Sequence, residues 1–249
     1  MSLKEAITGP AESLRGKMGV AVKNLETGES ASFNGNEVFP AASTFKVPVL
    51  VGFYRQIESG TFSMEKNVIL RREDLVPGSG VLKELTPGMV LSFRDLIKLM
   101  MVVSDNTATD LIVREVGMEN MKDVIKELGL KNTKVVKYCR EILFDLIGVN
   151  LPLKEMTLDL WEEVQQGTDY DGTWSLGVED NNITTPAEMT ELLELIATGK
   201  AATNKSCREI LEMMGKCQTG QNRIPGSGGK QCVMLSPGRS PKRESGHRN

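Results

Sequence analysis

The stretch AASTFKVPVL, Ala41 to Leu50, sets a serine three residues before a lysine at the mouth of an apolar run. Residues at i and i+3 share one helix face, so the Lys46 amine stands over the Ser43 hydroxyl if both lie in a first helical turn. Ser43 is then either a helix cap or a nucleophile with Lys46 as its base. A helix start carries roughly half a positive charge together with unpaired amides. Such an end disfavours a second cation and stabilises an oxyanion, which suits a neutral, basic Lys46. The spacing alone decides little, because about one Ser-x-x-Lys is expected by chance in a chain of this length.

The run beyond Lys46 has a helical period, with Val49, Leu50, Phe53 and Ile57 on one side, Gly60 at its end and Pro48 near enough to the start to be tolerated. Upstream, residues 18–39, MGVAVKNLETGESASFNGNEVF, alternate Val20 and Val22 with small or polar positions around the turn signal ETGES. That pattern predicts a β-hairpin feeding a buried helix. Downstream, SFRDLIKLMMVV begins with Ser92 and Asp95 in capping-box positions and predicts a core helix that stops at Ser104. TATDLIVREVG and MENMKDVIKELG follow as amphipathic helices, the second closed by Gly129. Residues 165–184 are rich in Gly, Asp and Asn and predict a long loop. Thr185, Pro186 and Glu188 then mark a helix start, and AEMTELLELIAT runs from it to Gly199. SCREILEMMGKC makes one further helix, after which the chain turns Gly-, Ser-, Pro- and Arg-rich, with only CVML able to form a strand.

The 249 residues, 40% hydrophobic and 25% charged, suffice for a substantial core. A net charge of -3 gives no electrostatic footprint for nucleic acid, and no apolar stretch approaches the roughly 20 residues of a membrane span. The N-terminal MSLKEAITGPAESLRGK lacks the features of a secretory signal, so a cytoplasmic location is expected unless a leader has been removed. Cys139, Cys207, Cys217 and Cys232 show no CxxC spacing, and reduced thiols without metal are expected. GSGGK does not meet the spacing of a phosphate loop. The single histidine is His247, in the polar tail. A Ser-His-Asp triad and a multi-histidine zinc site are thereby nearly excluded, and any nucleophile must take its base from Lys, Glu, Asp or Tyr.

A second motif changes the weight of the first. VVSDNTATDLI puts Ser104, Asp105 and Asn106 at the junction of two predicted helices, and this tripeptide arises by chance in about one chain in thirty of this size. Asp105 or Asn106 also reads as the cap of the next helix. With Ser43 and Lys46, the set resembles the penicillin-recognising serine hydrolases, most closely the class A β-lactamases. GLKNT, NNITTPAEMTELLELI and CQTGQNRIP keep the family's order, so the resemblance spans roughly residues 15–225. It implies an α+β fold in which residues 41–199 form a helical domain carrying the motifs, and residues 1–40 with 200–249 form an antiparallel sheet domain. It implies that Ser43 is acylated by a β-lactam or related small-molecule amide or ester, that Lys46 is its base, and that Ser104 relays protons. Asn106 would bond the substrate amide, Asp105 would be structural, and the chain would act as a monomer without cofactor. A periplasmic or secreted setting also follows from the resemblance.

Two stretches depart from the family. Its Glu-x-x-Leu-Asn pattern, whose Glu activates the deacylating water, is missing from LWEEVQQGTDYDGTWSLGVEDNNITTP, where Glu162 and Glu163 are the nearest substitutes. Its Lys-Thr-Gly strand is missing after Pro225, which reads as an altered or truncated end. A penicillin-binding sensor that acylates without turnover, or an inactive truncated or frameshifted remnant, is therefore the alternative expectation for this chain.

Overall fold

The computed structural model describes residues 2–13, 16–167 and 177–219. Helix α1 (Leu3–Ser13) precedes strands β1 (Val20–Lys23) and β2 (Ser30–Phe33), which pair antiparallel with Val20 opposite Phe33 and Lys23 opposite Ser30. This is the hairpin that the alternation predicts. Gly28, at a φ of +75°, takes the left-handed conformation that its turn needs. A lone hairpin is marginal in water, and here α1 packs against β2.

After β3 (Phe39–Pro40), residues Ala42–Phe45 wind as a 3-10 turn, and helix α2 (Lys46–Glu58) follows. The helix expected from Ser43 thus begins three residues later, with Ser43 in the tighter turn. Two local features account for this. Ala42 has a φ of +43°, which breaks right-handed winding, and Pro48 falls in the first turn of α2, where a missing N–H costs nothing. Val47, Val49, Leu50, Val51 and Phe53 are fully buried, each side chain contributing roughly 1.5–3 kcal/mol.

Strands β4 (Asn67–Ile69) and β5 (Val90–Ser92) form a second antiparallel pair, with Val68 opposite Leu91. Ser92 then caps α3 (Phe93–Val102): its Oγ accepts from Asp95 N at 3.1 Å and donates to Asp95 Oδ2 at 2.6 Å. Helices α4 (Asn106–Val116) and α5 (Met118–Glu127) follow, the latter closed by Gly129 at a φ of +79°. Helices α3, α4 and α5 all pack against α2, which makes α2 the central element.

Three helices were not evident in the sequence, α1, α6 (Cys139–Leu146) and α7 (Leu158–Gly167). Residues 165–167, expected in a loop, belong to α7. Its anchor is Trp161, buried with Met156 and Phe144 in a small satellite core, the Phe144 and Trp161 rings meeting edge to face at 5.5 Å. Strand β6 (Ile183–Thr184) pairs antiparallel with β3, placing the residues before TTP beside the approach to Ser43. Thr185 caps α8 (Pro186–Ala197) as predicted, accepting from Glu188 N at 3.1 Å, with Pro186 at the first position. Helix α8 covers β1 and packs on α9 (Asn204–Met214), which returns to α2 and α3.

The architecture is α+β, helices around α2 with small antiparallel strand pairs at its margins. Residues 168–176, the CVML segment, Cys232, His247, GSGGK and the whole end after Pro225 lie outside the described residues. Among the described residues no helix is long and apolar enough to cross a membrane, Cys139, Cys207 and Cys217 are free thiols, and no cluster of His, Cys, Asp and Glu could hold a metal ion.

Candidate active site

Lys46 is the first residue of α2, and its side chain runs inward until it is only 2% exposed. Its Nζ donates to Ser104 O at 2.7 Å, Ser104 Oγ at 2.9 Å and Asn106 Oδ1 at 3.0 Å. Ser104 Oγ in turn donates to Ser43 Oγ at 3.0 Å. All four residues singled out in the sequence therefore meet. Ser43 is exposed, Lys46 is buried beneath it, and the Ser104 hydroxyl joins them. Burial holds Lys46 below the ordinary amine range, against the opposing electrostatic pull of Cys139, Asp110 and Asp105.

Backbone geometry makes this meeting possible. The corner between α3 and α4 turns at Ser104, whose φ of +55° is rare for a residue with a Cβ. Ala42, beside Ser43, is the other left-handed non-glycine at the site. Such conformations persist where surrounding bonds over-determine them. Here the bonds come from Asp105, 1% exposed, whose Oδ1 caps α4 by accepting from Ala108 N at 2.8 Å. Its Oδ2 accepts from Val81 N at 2.6 Å and Leu82 N at 2.8 Å. The segment 77–82 is thus strapped across the corner, and Asn106 N adds a bond to Ser79 O at 3.0 Å. Gly80 permits the close approach: a Cβ there would stand 2.3 Å from Asp105 Oδ2, and its φ is +109°.

Asn106 is more committed than the family resemblance implies. Its Nδ2 donates to Pro77 O at 2.9 Å while Oδ1 accepts from Lys46 at 3.0 Å, so a substrate amide would be bonded through the second N–H or the second acceptor site of the same amide. Glu162 and Glu163 are both exposed on α7. The remaining loop positions up to residue 176 lie outside the described residues.

The sequence reading missed three contributors. Asn182, fully buried, accepts from Val136 N and Lys137 N and donates to Lys137 O, while its own carbonyl takes Ala41 N at 2.7 Å. The turn bearing Ser43 is thereby clasped to β6. Ser79 carries no signal beyond its flanking glycines. Asp110 did carry one, a charge inside the apolar run of α4, one turn beyond Asn106.

Asp110 Oδ1 accepts from Cys139 N at 2.6 Å and Oδ2 from Arg140 N at 3.2 Å, at the start of α6. Burial pushes its carboxyl up to about 6, although those amides and the Arg140 guanidinium pull it down. With the folded value above the unfolded one, its stabilising contribution is complete below about pH 4 and is lost as pH rises through about 6. The unfolding free energy of the parent chain relative to Asp110→Asn is therefore expected to fall by up to about 3 kcal/mol over that window. Urea titrations of both chains from pH 4 to 7 measure it; parallel pH profiles would show that Asp110 ionises normally.

The sequence profile of the β-lactamase enzyme family matches residues 2–236. β-Lactamase PSE-4 of Pseudomonas aeruginosa is 32% identical over 124 residues, 49% of this chain and 43% of that protein, so the chain spans under half the length of the curated relatives it matches. Among solved structures, a β-lactamase from Sphaerobacter thermophilus superposes with a TM-score of 0.70 at 28% identity, over 90% of this chain and 74% of that one. PBP-A superposes with a TM-score of 0.65 at 25% identity, over 87% and 69%, and a mutant of it has been solved as an acyl-enzyme complex with penicillin G. A β-lactamase-like fold, a family profile covering nearly the whole sequence and a buried lysine joined to an exposed serine agree: this chain belongs to the β-lactamase enzyme family.

Proposed function

We propose that the chain is a serine acyl hydrolase that opens β-lactam rings through an acyl-enzyme on Ser43, with residues 41–199 as its catalytic helical domain. The observation that carries this reading is the choice of partners around Lys46 Nζ. Two of the three, Ser104 O and Asn106 Oδ1, are carbonyl oxygens that can only accept. A neutral amine would give them its two protons and, once the Ser104 hydroxyl turns from Ser43, accept from that hydroxyl in place of the bond donated to it here. That hydroxyl can reverse, giving its proton to Lys46 while taking one from Ser43.

As Ser43 Oγ bonds to the lactam carbonyl carbon, its proton moves through Ser104 Oγ to Lys46 Nζ. Collapse of the tetrahedral species breaks the ring C–N bond, and the proton returns by the same route to the departing nitrogen. The positive end of the turn leading into α2 stabilises the carbonyl oxygen while it carries charge. Because ring opening keeps the amine tethered, the adduct carries the mass of the whole β-lactam.

One observation favours a second reading, a penicillin-binding protein that acylates and does not turn over: Glu162 and Glu163 both face solvent. Intact-mass spectrometry over time after mixing with penicillin G, with Ser43→Ala as control, tests both. A whole-penicillin adduct that forms and decays is expected of the hydrolase, and a lasting one of the binding protein. No adduct on the parent chain, or the same adduct on Ser43→Ala, would sink both.

A further inference from the structure

The 77–82 strap holds an exposed hydroxyl directly beside the Lys46 cluster. Ser79 Oγ donates to Ser104 O at 2.8 Å, with Asn106 Oδ1 as an alternative acceptor at 3.3 Å. These are the same two oxygens that take protons from Lys46 Nζ. A carbonyl oxygen has two acceptor sites, so Ser79 and Lys46 can share one oxygen. An oxygen that already accepts one bond carries less negative charge toward a second donor, and Ser79, whose single proton goes to the Ser104 carbonyl, therefore weakens the grip of that oxygen on the amine. Its place is fixed by its own backbone, through Asn106 N to Ser79 O, and by two flanking left-handed glycines, Gly78 and Gly80.

We propose that Ser79 is a positioning residue for acyl transfer: by filling the second acceptor site of the Ser104 carbonyl, it keeps Lys46 in the neutral form that can accept the Ser43 proton. This deepens the acylation reading above and rests on it for its functional meaning. The proposal concerns the charge of Lys46, so the surrounding groups matter. The titratable groups that act on the amine are Cys139 at the start of α6 and Asp110 and Asp105 on α4. Each lies on an element that a change at position 79 leaves in place, and Ser79 itself is exposed, so its hydroxyl can be removed without opening a core cavity.

The test reads Lys46 directly. The protein is labelled with 13C at lysine Cε, the Lys46 signal is assigned by its loss in Lys46→Met, and its titration is followed in the parent chain, Ser79→Ala and Ser79→Thr. The midpoint is expected to rise in Ser79→Ala by about half a pH unit or more and to return toward the parent value in Ser79→Thr, which keeps the hydroxyl. The acid limb of the penicillin G acylation rate should move by the same amount. Indistinguishable Lys46 titrations in the parent chain and in a Ser79→Ala chain with a native spectrum would overturn the proposal. A shifted titration without acylation of the parent chain would instead overturn the acylation reading and leave the role of Ser79 standing.

Discussion

Lys46→Met is expected to slow acylation of Ser43 by penicillin G by roughly 10²–10⁴-fold, the range over which a positioned general base acts. Methionine fills the path of the lysine stem with a flexible apolar chain of similar length, so the helix start should stay packed. What disappears is the basic group that reaches the Ser104 hydroxyl from inside the protein. Water is a poor substitute, because position 46 is only 2% exposed. Rapid mixing and quenching, with the adduct counted by mass, gives the rate for both chains. A loss of less than about tenfold would mean that another group takes the Ser43 proton, and the relay through Ser104 would have to be abandoned.

Asp105→Ala should be the most destabilising single change in the site, by about 2–4 kcal/mol. Loss of the α4 cap accounts for about 1 kcal/mol of that. Leu82 N, on a fully buried residue, would be left without an acceptor at roughly 1–3 kcal/mol, while Val81 N, on an exposed residue, contributes less. Against a typical total of 5–15 kcal/mol the chain would be left marginal. Released from Asp105, the 77–82 strap would no longer hold Ser104 in its left-handed state, so acylation should fall along with stability. Urea unfolding at neutral pH measures the first effect and adduct formation the second. A change in unfolding free energy below about 1 kcal/mol would show that the strap is held by something other than this carboxylate.

Side chains with chemistry of their own were legible in the sequence. Ser43, Lys46, Ser104 and Asn106 could be picked out because reactive groups at helix starts and corners form a small vocabulary, and two short motifs limited one another. Caps were legible for the same reason: Ser92 with Asp95 and Thr185 with Glu188 act through neighbours three residues away. The strap was not. It is built from the backbone amides of Val81 and Leu82, whose side chains give no hint of a bond to a carboxylate more than twenty residues later. Helix α7 was hidden by composition, since the Gly- and Asp-rich run begins where the helix ends and Trp161 finds its partners only in the folded chain. The 3-10 turn at Ser43 depends on the left-handed Ala42, and nothing about an alanine announces that conformation.

Ser104 bears on how such a site can drift over time. Threonine would carry the same hydroxyl, yet a second heavy atom on Cβ makes a φ of +55° a genuine outlier rather than a tolerated exception. Cysteine would fit the backbone but replace a good acceptor and donor by a weak one. In the proposed relay, the identity of residue 104 is thus dictated as much by the bend of the main chain as by the chemistry, and the options open to mutation at this corner shrink to a single amino acid.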